Sequence, residues 1–386
     1  MAKEISFDAI ITLLLFLVGV PVLVLQFMSP EIRNVLKVER RIIRAAGFYL
    51  AICITIIIIA IVIGGNRTIP EGWIPWIWVF LYAFLFGTVG ISSVRILSKF
   101  GFRENVLKEL TRLILQDLPK TGKPNKENLR ELIEIGKQSN PGPNREMILE
   151  SMRVLVDAIC KHEKYKGDSL EDLIIGIVHV LATRPTAEDT RNYQTAAGIL
   201  TTILSTKISN GNEAKFVDQF HAVNAMSTLG QTMLAQKDFS AEADYILMDF
   251  EEALGLVVSV HPELLPDVTQ ALLTMGSVAL YHERYLFAVA TMERMLTLIE
   301  ANQAVAVKPL AELLGLTAHF WTTGGSSKDF IEMRIPRISA LFSGDLSEVI
   351  EKARQRFQMT MRFDTADKLA HMAKELKPKR TSRRKK

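Results

Sequence analysis

The sequence predicts an all-α chain, with three transmembrane helices followed by a cytoplasmic multi-helix domain, either α-solenoid-like or an irregular bundle. Three observations lead there. The first quarter holds three long apolar runs; the rest shows amphipathic helical patterns separated by short turns; and no alternating apolar–polar run flanked by hairpin turns is found.

Charge and cysteine content narrow the function classes. Of the 386 residues 48% are hydrophobic, and the excess lies in the first hundred. The net charge of +4 is unevenly spread. Residues 1–100 carry nine bases against five acids, the last ten (KPKRTSRRKK) carry seven bases and no acid, and residues 101–376 are therefore net −7. An acidic body argues against a broad nucleic-acid-binding face, because such faces work by neutralising phosphates. The two cysteines, Cys53 and Cys160, fall in separate predicted parts, so no disulfide framework is implied and a reducing compartment fits the large domain.

The predicted membrane domain is 1–100, with spans at about 9–28, 45–64 and 73–97. The first run begins near Glu4 and Asp8 rather than a basic cluster and is too long for a signal peptide, so it reads as a retained span. Residues 29–44 open with Ser29-Pro30-Glu31, an N-cap, a first-turn proline and an acid. They continue as an amphipathic loop with Arg33, Lys37, Arg40, Arg41 and Arg44 between apolar residues. It is either an interfacial helix or a topology signal. In the third run, Trp73, Trp76 and Trp78 form an aromatic anchor, and Arg95 and Lys99 a cationic one. Ala83, Gly87 and Gly90 make a small-residue stripe beside Thr88 and Ser92, which either packs the spans together or forms a pore or oligomer face. The distribution of bases predicts a multi-pass inner (plasma) membrane protein, N-terminus outside and residues 98–386 cytoplasmic.

Beyond it, residues 101–144 read as a helical connector broken by PKTGKPNKEN and SNPGPN. Residues 145–376 read as the helical domain, and 377–386 as a basic tail. Helix starts are signalled at Asn144, at Ser169-Leu170-Glu171-Asp172 as a capping box, at Thr186, at Ser240, and at Asp345 with Glu348. Asp364-Thr365 is a point of interruption in the last helical region.

The search for chemistry is mainly negative. No phosphate-loop, nucleophile-elbow, zinc-protease, CxxC or dinucleotide fingerprint is present, and the seven histidines show no ligand-type spacing. No catalytic residue, metal site or cofactor is expected. The segment Thr322–Lys328 is rich in glycine and hydroxyls and reads as an inter-helix loop or as a backbone phosphate cradle. Lys161, His162, Lys164 and Lys166 form the most basic spot in the body, the candidate patch for an anionic ligand such as a nucleotide, or else simply an exposed helix end.

Several helices carry an apolar residue followed by glycine: Ile175-Gly176, Ala197-Gly198, Leu229-Gly230, Met275-Gly276 and Leu314-Gly315. Small residues there let paired helices pack closely. Met275-Gly276, with Ala288 and Met292 downstream, resembles the tetratricopeptide repeat, over about Tyr193–Phe320 and without its fixed period. That resemblance implies stacked helix pairs with a concave surface for a peptide or another ligand. The expected function is an oligomeric membrane effector or receptor whose helical domain senses a ligand or partner and gates a membrane bundle, with conduction of ions in view. The competing expectation is a membrane-tethered adaptor for a protein partner. The expected partners are the lipid bilayer, further copies of the chain, and a cytoplasmic protein or a small anionic ligand.

Overall fold

The computed structural model describes Thr55 and residues 103–165, 167–183, 185–207, 216–236, 242–302, 307–342 and 345–376, with only the backbone of Glu242 and Val307. The chain is all-α. The helices are α1 Arg103–Leu115, α2 Leu118–Thr121, α3 Lys126–Gln138, α4 Pro143–Cys160, α5 Glu171–Ala182, α6 Thr190–Ser205, α7 Val217–Ala235, α8 Glu242–Val260, α9 Leu265–Tyr281, α10 Tyr285–Ala301, α11 Val307–Thr323, α12 Gly325–Ala340, α13 Leu346–Met359 and α14 Phe363–Leu376.

The expectation of a three-span protein of the inner membrane is corrected. Among the described residues no helix is long and apolar enough to cross a membrane. A span needs about 20 mostly apolar residues. The longest described helices, α7 and α8, have 19 each, and polar groups such as Asp218, Gln219, Asp249 and Glu252 break their apolar runs. The stretches 9–28, 29–44, 45–64 and 73–97 lie outside the described residues, as does the tail 377–386.

The chain divides into two compact units. In the first, α1 and α3 pack together. Val106, Leu107, Leu110 and Ile114 form the buried stripe of α1, and Leu129, Leu132 and Ile133 that of α3. Asn125 caps α3 by accepting the Asn128 N–H at 3.1 Å, and its own N–H donates to the Ile114 carbonyl at 2.9 Å. The stretch PKTGKPNKEN, which reads in sequence as a break, thus supplies the cap, and the helix already starts within it at Lys126.

The second unit holds α2 and α4–α14. From α4 to α9 each helix packs against the next helix and the next but one, and α10 packs against α11. That pattern is two layers of antiparallel pairs: α4, α6, α8 and α10 on one side, and α5, α7, α9 and α11 on the other. The first helices of successive pairs start at Pro143, Thr190, Glu242 and Tyr285, more than forty residues apart each time, so the pairing recurs without a fixed period. Gly276 on α9 and Ala288 and Met292 on α10 are all buried, but α9 closes one of these pairs and α10 opens the next.

Glycines set the spacing of the second layer. A Cβ on Gly230 would lie 2.7 Å from Met275 Cε; on Gly276, 2.9 Å from Leu316 Cδ1; and on Gly315, 2.9 Å from Phe357 Cζ and 3.0 Å from Thr365 Cγ2. Each glycine thus receives a side chain from a later helix, and the filler sits beside the next glycine: Met275 precedes Gly276 and Leu316 follows Gly315. Gly198, on α6 in the other layer, has nothing within 4 Å of its would-be Cβ.

Buried polar groups fix the helix starts. Arg145 and Asp189, 1% and 0% exposed, form an ion pair at 2.7 Å. Asp189 also accepts from the Gly142 N–H at 3.2 Å and from Asn192 at 2.8 Å. The capping box expected at Ser169–Asp172 is not what holds α5. Instead Asp218, from α7, accepts the N–H groups of Ser169 and Leu170, each at 2.9 Å. Asp345 caps α13 through the Ser347 N–H. The break after α13 falls at Thr360–Arg362, with Met361 at φ 57°, just ahead of Asp364-Thr365.

Gly198→Ala and Gly315→Ala are expected to move stability in opposite directions. Both sites are helical, where alanine is favoured over glycine by about 1 kcal/mol. At Gly198 the methyl enters open space and the gain is realised. At Gly315 the methyl meets Phe357, Thr365 and Leu273, all buried, and overpacking costs about 1–3 kcal/mol. Urea unfolding of the two variants checks this as a raised midpoint for the first and a lowered one for the second.

Candidate functional site

The open side of Gly198 belongs to a groove between α6 and α8. Gln194, Ala197, Gly198 and Thr201 form one stripe of α6, spaced at helical intervals. Asp249, Glu252, Ala253 and Leu256 form the facing stripe of α8, and Arg294 reaches in from α10. The space measures about 650 Å³. A second cavity of about 640 Å³ shares Gln194 and Asp249 with it and extends towards the starts of both helices, past Glu188, Arg191 and Tyr245. Together they make a channel running along two parallel helices. Small residues keep its floor low, while Tyr245 at 71% and Leu256 at 47% exposure stand at its rim.

Its charge is acidic because the bases that touch it are already held. Arg191 pairs with Glu146 at 2.9 Å. Arg294 lies across Gly255, its Cδ 3.0 Å from the would-be Cβ, and donates to the buried Glu251. Burial raises the proton affinity of Glu251, and Arg294 opposes that rise. Glu188, Asp249 and Glu252 have no hydrogen-bond or ion-pair partner among the described residues. The proton affinity of Asp249 is raised by partial burial and by the neighbouring charge of Glu252. Two carboxylates one turn apart, with no base between them, favour a cation brought from elsewhere.

Of the residues marked in the sequence, Ala83, Gly87, Thr88, Gly90, Ser92, Trp73, Trp76, Trp78, Arg95, Lys99 and Lys166 lie outside the described residues. Lys161, His162 and Lys164 do come together at the end of α4. Lys161 pairs with Asp157 at 3.7 Å, His162 Nδ1 accepts the Lys164 N–H at 3.2 Å, and Lys164 Nζ donates to the carbonyls of Pro119 and Lys120. Lys164 thus closes the end of α2. The glycine- and hydroxyl-rich segment after α11 is a one-residue turn at Gly324, φ 77°, and Gly325 already begins α12. Ser327 is buried, and Lys328 pairs with Glu375 at 2.7 Å. The groove itself escaped sequence reading, although its floor carries Ala197-Gly198; that pair reads as a packing contact until its neighbours are known.

Other titratable groups are structural. Burial pushes the Cys160 thiol up to about 11, which makes it a poor nucleophile. Among the described residues no cluster of side chains could hold a metal ion. Comparison with protein-family models, curated proteins and solved structures finds no match to this chain.

His319 joins α11 to α14. Its Nε2 lies 3.2 Å from Thr365 Oγ1, its Nδ1 3.0 Å from Lys368 Nζ, and Asp364 stands 3.9 Å away. Burial, aided by Lys368 and Arg362 and opposed by Asp364, lowers its pKa to about 4. Between pH 6.5 and 4 the unfolded chain therefore binds a proton that the native imidazole does not. The linked stability is complete above about pH 6.5 and is lost as the pH falls towards 4, a change on the order of 3 kcal/mol. His319→Gln keeps a donor and an acceptor but cannot titrate. Its urea midpoint is expected to fall less between pH 7 and pH 5 than that of the natural chain, as followed by circular dichroism; equal falls would assign the acid sensitivity elsewhere.

Proposed function

We propose that the stacked-helix unit is a binding scaffold for a protein partner, and that the groove between α6 and α8 receives a basic segment of that partner. The observation that carries this reading is the pairing of an unfilled glycine floor with carboxylates that have no partner among the described residues. In a stack where Gly230, Gly255, Gly276 and Gly315 each meet a side chain from a later helix, the mid-helix Gly198 is left for something else to cover. The reading keeps the adaptor expectation and drops the tether.

The recognition follows from the parts. Lysine and arginine side chains lay their methylene stems over apolar surface and keep the charged head free. Here the stems would lie over Ala197, Gly198 and Ala253, and the heads would meet Asp249, Glu252 and Glu188. Tyr245 and Leu256 supply apolar contact at the rim. Such charges act mainly on encounter rate and partner choice, so binding would weaken as salt rises. A phosphate-bearing ligand would meet three acids and is disfavoured at this place. The recurrent packing of each helix on its near neighbours along the chain also supports a scaffold role.

A fluorescent ten-residue peptide alternating arginine with alanine and leucine tests this by anisotropy against the full chain. It is expected to bind, and a glutamate counterpart is not. Asp249→Asn with Glu252→Gln should weaken binding several-fold, since exposed ion pairs contribute about 0.2–1 kcal/mol each. Gly198→Leu should block the groove while leaving the fold intact, because its side chain enters open space. Equal binding by the natural chain and all these variants would overturn the assignment.

A further inference from the structure

From the groove's chemistry, and resting on the reading of it given above, we infer that its resident occupant is the chain's own basic arm, residues 377–386, docked in cis. The arm therefore acts as a competitor that any external partner must displace.

The first argument is complementarity. The arm carries seven bases and no acid, whereas the groove presents Glu188, Asp249 and Glu252 without partners among the described residues. The second is position. α14 ends at Leu376, and Glu375 in its last turn accepts from Lys328 in the first turn of α12 at 2.7 Å. Tyr285, the first residue of α10, donates its hydroxyl to the Ser326 carbonyl at 3.0 Å. Arg284, just before α10, reaches Asp244 in the first turn of α8 at 3.4 Å. The starts of α12, α10 and α8 therefore stand side by side, and the arm departs beside them. Tyr245 and Asp249 of the groove follow directly along α8.

The reach suffices. Neighbouring helix axes lie about 8–10 Å apart, so two steps from α12 to α8 cover about 20 Å. Asp249 is seven residues into α8, roughly 10 Å along its axis. Ten extended residues span up to about 33 Å. That brings Arg383, Arg384, Lys385 and Lys386 to the carboxylates. A tether this short holds its end at an effective concentration on the order of millimolar, so an arm whose free peptide binds at about 0.1 mM is docked about nine-tenths of the time and weakens an external peptide about tenfold.

The test compares full-length chains. Lys379→Gln, Arg380→Gln, Arg383→Gln and Arg384→Gln, combined, weaken the arm without touching the groove. A labelled free peptide KPKRTSRRKK should bind this variant at least about tenfold more tightly than it binds the natural chain, whose groove is occupied. Adding Asp249→Asn and Glu252→Gln to the arm variant should weaken that binding several-fold. In the natural chain, carbodiimide coupling at low protein concentration should join Asp249 or Glu252 to a lysine of 377–386 within a monomer. Equal affinity for the natural and arm-variant chains would overturn docking of the arm, even if both bind and the scaffold reading stands. Cross-links that appear only between chains, and grow with concentration, would overturn docking in cis. Failure of every basic peptide to bind any variant would overturn the scaffold reading itself.

Discussion

Close approach at glycine is the constraint on which this stack depends. Helices whose axes must come near each other need a place where one lacks a side chain, and in the second layer Gly230, Gly276 and Gly315 are those places. The fillers, Met275, Leu316 and Phe357, are themselves fully or almost fully buried, so each contact fixes the register of a helix against a later one. Because Met275 adjoins Gly276 and Leu316 adjoins Gly315, one helix turn both fills a gap and offers one. Gly230 is the most forgiving, since the far end of a methionine can swing aside. Gly315 is the least, hemmed by three buried side chains from different helices.

Charge supplies what close packing does not. Asp189 and Asp218 are buried carboxylates that hold backbone N–H groups more than forty residues away, and so pin the beginnings of α4 and α5. Their burial is costly alone and is offset by hydrogen bonds and, for Asp189, by Arg145. Elsewhere arginines bridge helices two places apart along the chain: Arg294 to Glu251, and Arg334 and Arg337 to Glu293. Glu312, buried on α11, meets Arg362 at 2.7 Å and fastens the last pair of helices. The groove between α6 and α8 is where both rules lapse together, with a glycine that nothing fills and acids that no described base meets.

The helical class was legible because apolar residues recur at helical spacing throughout 145–376, and local caps such as Asp345 act where the sequence suggests. What failed depended on partners distant in sequence. Ser169 reads as the start of a capping box, yet the cap comes from Asp218, and no local pattern contains that fact. Lys164 reads as a free base for an anion, yet its ammonium serves two carbonyls at the end of α2. Gly198 has the same sequence signature as Gly230 and the opposite surroundings. The membrane assignment rested on apolar runs, aromatic and cationic anchors and the placing of bases: the residues that prompted it lie outside those described, and no described helix meets the length and apolarity that crossing requires. Asp249 and Glu252 look in sequence like an ordinary solvated face, and only their place beside α6 makes them the wall of a groove.

From α4 onward, the main contacts of every helix are with neighbours at most three places along the chain. Such an array is quasi-one-dimensional, and its cohesion is a sum of nearest-neighbour couplings rather than a property of one shared core. Fraying can then begin at an end and stop partway. The α13–α14 pair, which is joined to the rest chiefly through α11, can detach while α4–α7 stay assembled. Heating should therefore loosen the α13–α14 end before the main transition of the stack.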